Sequence, residues 1–301
     1  MNVDRPSWFK IALQLRGSVI PSIWPRVLLC GGFGLFISLL NFLKWPVSLP
    51  ILSSIVPSIV LGLLLVFRTN TAYERFWEGR KLWGTLVNNV RNLARQIWVA
   101  IEEKDPQDSA KKKLALRLLP AFAVSMKLHL RQESINSELE PLMSPSQYQK
   151  LKSMNNPPLE IAFWIEDYLH NQYERNCLDV YQLTSMKELL SSMINVLGGC
   201  ERILKTPIPL AYTIHLKQLL LLYCLALPFQ MVKDLTWGTG PVAALISFTL
   251  FGIEEIGIEI ENPFGHDTND LPLENICAAM QRNIDDLTTL SPSVHEQVKD
   301  K

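Results

Sequence analysis

The sequence predicts an all-α membrane protein, and three features carry that prediction. Four segments contain no charged residue, they form two close pairs, and a long polar region with helical periodicity separates the pairs. A bilayer core about 30 Å thick needs about 20 helical residues, and these segments reach that length alone or with their flanks. Each segment could be a buried helix of a soluble core, but four in two pairs favour membrane insertion. The uncharged segments are residues 27–43, 46–67, 218–232 and 235–253.

Composition agrees with a protein that is partly in the membrane and partly in water. The chain is 48% hydrophobic, with a mean hydropathy of +0.12. We predict one unit over residues 1–301, with four transmembrane helices in two hairpins. The hairpin turns are predicted at Lys44-Trp45-Pro46 and at Lys233-Asp234. The predicted transmembrane helices cover about residues 25–45, 48–68, 211–232 and 235–256, with a cytosolic helical region at about 69–206 and a cytosolic segment at 257–301.

Basic residues flank the outer ends of the first hairpin and predict its orientation. By the positive-inside rule, both termini and the polar middle region face the cytoplasm. The predicted location is the cell (inner) membrane as a multi-pass protein, with an internal membrane such as the thylakoid as the alternative. The basic residues concerned are Lys10, Arg16 and Arg26 before the hairpin and Arg68, Arg75, Arg80 and Lys81 after it.

The polar middle region has the apolar spacing of amphipathic helices. Further helices are predicted at residues 114–131, 158–175 and 183–204, with breaks at Pro106 and Pro145 and at residues 155–158. No alternating pattern predicts a strand. In the first of these helices, at residues 72–103, the apolar positions are Trp83, Leu86, Val90, Leu93 and Ile97.

Charge and motifs argue against several other functions. With 29 basic and 29 acidic residues the chain lacks the positive field of a nucleic-acid-binding protein. The five histidines are dispersed, and neither a catalytic motif nor a glycine-rich phosphate loop is present, which disfavours a membrane-bound enzyme. A secondary transporter would favour inverted repeats, which are not visible. No cofactor is predicted.

The segment at residues 67–84 is dense in aromatic residues and arginines at the exit of the second apolar run. It resembles the FRxNxAYxRWWExRxxWG motif of the bacterial branch of the bestrophin family, with Phe76 where that motif usually has tryptophan. Residues 16–21, 198–212 and 261–270 resemble three further family motifs in the same order. The resemblance covers about residues 10–290.

This resemblance implies a homopentamer with a central pore lined chiefly by the second membrane helix. The family is described mainly as channels for chloride and other anions, with bicarbonate among them. We therefore expect an anion channel whose partners are its own copies, membrane lipid and permeant inorganic ions. Some bacterial members pass monovalent cations, and the neck of this chain is closer to theirs, so a cation channel of the same fold is the alternative.

Ile59, Leu63 and Phe67, called the neck residues below, lie four residues apart and share one helix face. Periodicity alone favours a face turned to lipid or to neighbouring helices. The resemblance assigns the three positions to the family's hydrophobic neck. It also assigns Ile208, within Thr206-Pro-Ile-Pro209, to a cytosolic aperture, and the two prolines independently predict a rigid turn there.

Two further groups are predicted from the motifs. One is a structural motif of interleaved charges and aromatic anchors at the pore mouth, with direct attraction of ions as the alternative role. The other is the loop containing Asp267 and Asp270, which in animal members binds calcium but here retains only two aspartates; turn or N-cap roles are expected, with a weak calcium site as the alternative. The motif residues are Arg68, Asn70, Tyr73, Arg75, Trp77 and Glu78.

Overall fold

The computed structural model describes residues 7–49 and 55–290, and these are helical with no strand among them. The all-α prediction is confirmed for this part of the chain. The helices are α1 (Trp8–Ala12), α2 (Ile20–Phe42), α3 (Ile55–Ala100), α4 (Asp108–Leu130), α5 (Pro145–Leu151), α6 (Pro157–Glu174), α7 (Val180–Lys205), α8 (Leu210–Leu235), α9 (Thr239–Glu259) and α10 (Leu273–Leu287).

The chain divides into two compact units. The first unit comprises the residues up to Trp77 and from Pro207 to Asp270, and it contains α1, α2, the first part of α3, α8 and α9. The second comprises Glu78 to Thr206 and the residues from Leu271 onward. The division separates the apolar helices from the polar helical region.

Within the described residues, three helical segments are long and apolar enough to cross a membrane: Ile20–Phe42, Val56–Ala100 and Leu210–Glu259. The last segment contains two helices, because α8 and α9 are joined by the 3₁₀ turn Thr236–Gly238. The chain reverses there: Thr236 has a φ of 49°, and Lys217 Nζ near the start of α8 lies 2.9 Å from Glu254 Oε1 near the end of α9.

The predicted helix boundaries were wrong by several residues in places. The second turn was predicted at Lys233-Asp234, but α8 continues through both, because charged residues near a helix end do not oppose helix formation. Helix α2 begins at Ile20, ahead of the transmembrane start predicted at about residue 25, and Pro21 fits its first turn. Residues 48 and 49 are not helical, and the rest of that predicted start, residues 50–54, lies outside the described residues.

In the first unit, α2 and α9 approach closely at glycines. A Cβ placed on Gly34 would lie 2.9 Å from the Gly240 Cα, and one placed on Gly31 would lie 3.0 Å from the Ala244 Cβ. Small residues at such crossings allow helix backbones to pack tightly in a membrane. The buried core of this unit draws on four helices, with Ile23, Val27, Cys30, Leu61, Leu65, Leu216, Leu220, Cys224 and Phe251.

In the second unit, the second part of α3 buries the predicted apolar stripe completely. The side chains at the five predicted positions are all 0% exposed, which confirms that face of the helix. Helix α4 differs from the predicted amphipathic pattern, because it is covered on most sides. Its buried residues include Lys127, whose Nζ lies 2.7 Å from Glu138 Oε2, so the buried charge has a carboxylate partner.

The breaks predicted at Pro145 and at residues 155–158 fall where helices begin, with Pro145 and Pro158 in the first turns of α5 and α6. Ser144 caps α5 in a capping box with Gln147, and Asn156 caps α6 by accepting from the Leu159 N–H. Proline suits these positions because its missing N–H would have no partner in the first turn. Helix α6 begins within one residue of the predicted helix 158–175, whereas the short helix α5 was not predicted.

An ion pair joins the start of α4 to the end of α6. Arg175 Nη1 lies 2.9 Å from Asp108 Oδ1 and Nη2 lies 2.8 Å from Oδ2, which makes the contact bidentate. The Lys104 and Asp105 backbone N–H groups also donate to Asp108 Oδ2. The Arg175 hydrogen bonds, followed by these backbone donors, hold the pKa of Asp108 well below its usual range.

Candidate functional site

The neck residues lie on a face of α3 that the chain itself leaves uncovered. Ile59, Leu63 and Phe67 are 53%, 52% and 60% exposed, whereas Leu61 and Leu65 between them are 3% and 2% exposed. A spacing of four residues places side chains one above another on a helix. The structure therefore brings the three neck residues together as one apolar stripe.

The opposite side of α3 is held by α8. The Ser58 and Tyr223 hydroxyls lie 2.9 Å apart, and the Tyr212 hydroxyl donates to the Leu64 carbonyl at 2.5 Å. The first bond lies next to Ile59 and the second next to Leu63. They fix the rotation of α3, so that the stripe is directed away from α8.

Arg68 follows the neck residues directly and is buried. Its side chain is only 2% exposed; Nη1 donates to Thr213 Oγ1 at 3.0 Å, and Nη2 lies 3.3 Å from Glu261 Oε2. Gly257 of α9 lies beside the guanidinium, since a Cβ there would be in van der Waals contact with Arg68 Nε at 3.6 Å. A buried arginine needs such partners, since an uncompensated charge is costly away from water.

The other members of the predicted motif divide into three sets. Arg75 is half-buried, and its Nε donates to the Glu261 carbonyl at 3.0 Å. Asn70, Tyr73 and Trp77 are exposed. In the second unit, Glu78 Oε1 accepts from Arg202 Nη2 at 2.9 Å. The structure thus brings Arg68 and Arg75 to one residue, Glu261, and leaves the aromatic members on the surface.

Ile208 lies in the non-helical segment between α7 and α8 and is half-buried. Its backbone N–H donates to Glu261 Oε1 at 3.0 Å. Glu261 therefore contacts Arg68, Arg75 and Ile208. The sequence analysis did not single out this glutamate, because the contacts join positions far apart in the chain and no local pattern marks them.

The loop that holds Asp267 and Asp270 is bonded within itself. Asp270 Oδ2 accepts the Asp267 N–H at 2.7 Å, and a Cβ on Gly265 would lie only 2.7 Å from the same oxygen. Asn269 Nδ2 donates to Glu259 Oε2 at 2.7 Å. In the part of the chain that the structure describes, no three His, Cys, Asp or Glu side chains are grouped to hold a metal ion.

A second charged cluster lies at the end of the last apolar run. The Glu254 side chain is 2% exposed, and its carboxylate lies 3.4 Å from Arg26 Nη1 and 2.9 Å from Lys217 Nζ. Arg26 Nη2 also pairs with Glu255 Oε2 at 3.0 Å. The cluster joins α2, α8 and α9 by charge near one end of the bundle, where a carboxylate without cations would be strongly unfavourable.

Taken together, apolar helices, a helical polar unit and an uncovered apolar stripe define an all-helical membrane protein. Comparison with known proteins supplies its family. Residues 1–286 match the family described as Bacterial/Fungal Bestrophin protein. The chain belongs to this family, and the family resemblance expected from the sequence is confirmed.

Relatives of known name share most of their length with this chain. A voltage-dependent anion channel-forming protein of Nostoc sp. is 67% identical over 98% of this chain and 96% of its own length. Another of that name, from Synechocystis sp., is 59% identical over 95% and 93%. The crystal structure of a bacterial bestrophin homolog from Klebsiella pneumoniae has a TM-score of 0.80 at 30% identity, covering 90% of this chain and all of that one. The family and these relatives are channels, so this protein is a membrane channel and not an enzyme.

Proposed function

We propose that the protein is a homopentameric channel that passes anions, chloride and bicarbonate among them, passively across the cell membrane. Five copies of α3 line the pore, and the neck residues form three stacked apolar rings. Ile208 narrows the cytosolic end. In this arrangement α2, α3, α8 and α9 span the bilayer, and both termini are cytoplasmic.

The uncovered stripe on α3 is the observation that carries this proposal. Large apolar side chains that are more than half exposed along one helix face need a covering surface or a dewetted lumen. The stripe immediately precedes Arg68, which the chain's own residues bury and pair. An exposed apolar stripe followed by a buried, paired arginine suits a pore lining whose last ring is held in place by Arg68.

Apolar rings can control conduction without charged side chains. A hydrophobic constriction empties of water below a threshold width, so a small change in diameter switches ion flow. Since the rings have no formal charge, selectivity depends on dipoles, pore-mouth charge and the cost of dehydration. The names of the Nostoc and Synechocystis relatives favour anions for the present chain.

The flanking basic residues support the proposed orientation. Arg26, paired with Glu254 and Glu255, lies at the same end of the bundle as the start of α8. Basic side chains near membrane helix ends are retained on the cytoplasmic side. The membrane lipid is then a partner of the outer faces of α2, α8 and α9, where exposed residues such as Leu28 and Leu222 lie.

Purified protein in a planar bilayer tests the proposal. We expect unitary currents without any energy source, and a mass of five chains by native mass spectrometry of the detergent-solubilised protein. Membranes that contain the folded protein but show no unitary current would contradict the channel. A folded conducting protein of another subunit number would contradict the pentamer alone.

A further inference from the structure

Glu261 makes three polar contacts that converge from separate parts of the first unit. Its Oε2 lies 3.3 Å from Arg68 Nη2, its Oε1 accepts the Ile208 N–H at 3.0 Å, and its carbonyl accepts Arg75 Nε at 3.0 Å. The side chain is 18% exposed, so these contacts are partly shielded from water. Glu261 thus connects the part of α3 that follows the neck residues to the segment before α8.

No other backbone N–H of residues 207–209 could replace the one that Ile208 donates to Glu261. Ile208 stands between Pro207 and Pro209, and neither proline has a backbone N–H. The Ile208 N–H is therefore the only main-chain donor from 207 to 209, and Glu261 accepts it. Without that acceptor, no main-chain donor of residues 207–209 is bonded, and the nearest main-chain bonds of the segment are those that the Pro209 carbonyl accepts from Tyr212 and Thr213.

The contact with Arg68 makes Glu261 difficult to move. Among the described residues, Glu261 is the one carboxylate paired with Arg68, whose side chain is 2% exposed. Moving a carboxylate away from a buried guanidinium leaves that charge uncompensated, which is strongly unfavourable. Arg68 follows Phe67 in α3, so the anchor of Glu261 is rigidly connected to the last neck residue.

We propose that Glu261 is a positioning residue that fixes Ile208 relative to Arg68 of α3, directly after the neck residues, and so sets the width of the cytosolic aperture. This inference rests on the proposed function, because it takes Ile208 as the aperture residue. In this proposal, Glu261 physically connects the hydrophobic neck with the cytosolic aperture. A displacement of α3 at Arg68 is transmitted to Ile208 through the Glu261 carboxylate.

A double-mutant cycle tests whether Glu261 acts through Ile208. Glu261→Ala is made in the wild-type chain and in Ile208→Ala, and single-channel conductance is measured in planar bilayers. We expect Glu261→Ala to change the conductance about twofold or more in the wild-type background and not in Ile208→Ala. Glu261→Gln retains an acceptor for the Ile208 N–H, so its conductance should lie between those of wild type and Glu261→Ala.

Glu259→Ala is the matched control. This glutamate lies two residues earlier and bonds Asn269 of the same loop, so its removal tests general loosening of the loop. We expect its conductance to equal that of the wild type. An equal effect of Glu261→Ala in both backgrounds, or a folded Glu261→Ala channel with wild-type conductance, would overturn the inference.

A paired variant covers the case in which Glu261→Ala fails to assemble because Arg68 is left unpaired. Arg68→Met with Glu261→Met replaces the ion pair by apolar side chains of similar length, a change that buried pairs often tolerate. It still removes the acceptor of the Ile208 N–H, so the same dependence on Ile208 is expected. A wild-type protein without currents would instead refute the proposed function and this inference with it, whereas equal effects in a conducting protein refute the inference alone.

Discussion

Leu61 and Leu63 are two residues apart on α3 and have opposite surroundings. Leu61 is 3% exposed within the core of the first unit, whereas Leu63 is 52% exposed on the stripe of neck residues. The same side chain therefore has two roles, one in packing and one at the proposed constriction. Substituting each by alanine separates these roles.

We expect Leu63→Ala to increase the single-channel conductance. Removing the isopropyl group from each of the five proposed copies widens the middle ring, and a wider apolar constriction stays wet more readily. Leu222→Ala removes the same atoms from an exposed position of α8 and should conduct like the wild type. Unchanged conductance in an assembled Leu63→Ala channel would remove Leu63 from the pore lining.

Leu61→Ala should act on stability. Truncation of a buried leucine costs roughly 2–5 kcal/mol in unfolding free energy, through lost contacts and a cavity. Thermal unfolding of the detergent-solubilised protein measures the loss, and channels that do assemble should keep the wild-type conductance. A stable Leu61→Ala protein with altered conductance would mean that the two faces of α3 have been assigned the wrong way round.

At this scale, repeated patterns could be predicted from the sequence and single contacts could not. The burial of residues such as Trp83 and Ile97 follows from a helical period repeated several times. The role of Glu261 depends on residues 193 and 53 positions away, Arg68 and Ile208, and no local signal encodes such a distance. Exposure of the neck residues likewise needed the packing of α8, since their spacing also fits a face turned to lipid.

Helices α2 and α9 pack closely where they cross because Gly34 and Gly240 have no side chains there. We expect Gly34→Ala to destabilise the first unit by about 1–3 kcal/mol, because the new methyl would lie within 2.9 Å of the Gly240 Cα and a backbone cannot yield cheaply. The thermal unfolding midpoint in detergent should therefore fall.

Gly32→Ala provides the comparison on the same helix. No atom lies within 4 Å of a Cβ at Gly32, so the substitution should stabilise α2 by roughly 0.5–1 kcal/mol through reduced backbone freedom. If both alanines change the unfolding midpoint equally, the close crossing at Gly34 does not determine the packing.

The ion pair between α4 and α6 predicts a pH dependence for the second unit. The pKa of Asp108 is lowered by Arg175, so its contribution to stability is complete above the ordinary aspartate pKa of about 3.9 and is lost as the pH falls through the lowered value. Asp108→Asn should be less stable than wild type at pH 6 and should lose less on acidification to pH 3. Thermal unfolding at the two pH values measures this.

Asp167→Asn is the control for that experiment, because Asp167 lies exposed on α6 outside this ion pair. Its loss of stability on acidification should equal that of the wild type. If Asp108→Asn loses as much stability between pH 6 and pH 3 as the wild type, the pair with Arg175 does not determine how stability falls on acidification.

Element type was more predictable than element boundary. Uncharged length and three-to-four periodicity identified the long helices, because burial in lipid or in a core imposes both patterns. The short helix α5 after the predicted break at Pro145 was not predicted, although Ser144 and Gln147 supply a capping box at its start. The turn was predicted at Lys233-Asp234 because charged residues can be recognised in the sequence. The positive φ of Thr236, where the chain reverses, cannot.

Across the whole molecule, each unit has its own means of stability. The first unit uses apolar packing, a glycine crossing and the charged cluster around Glu254, while the second uses the buried face of α3 and ion pairs such as Arg175 with Asp108. Helix α3 contributes residues to both units and contains the neck residues. The central claim is that five such helices surround a pore that passes anions.

The reversal potential of the purified wild-type channel under a KCl gradient tests that claim most directly. The neck residues are uncharged, so selectivity is a property of the assembled pore, which a bilayer recording measures and a single chain does not display. We predict that the current reverses near the chloride equilibrium potential. Reversal near the potassium equilibrium potential would contradict the proposed anion channel and identify a cation channel of the same fold.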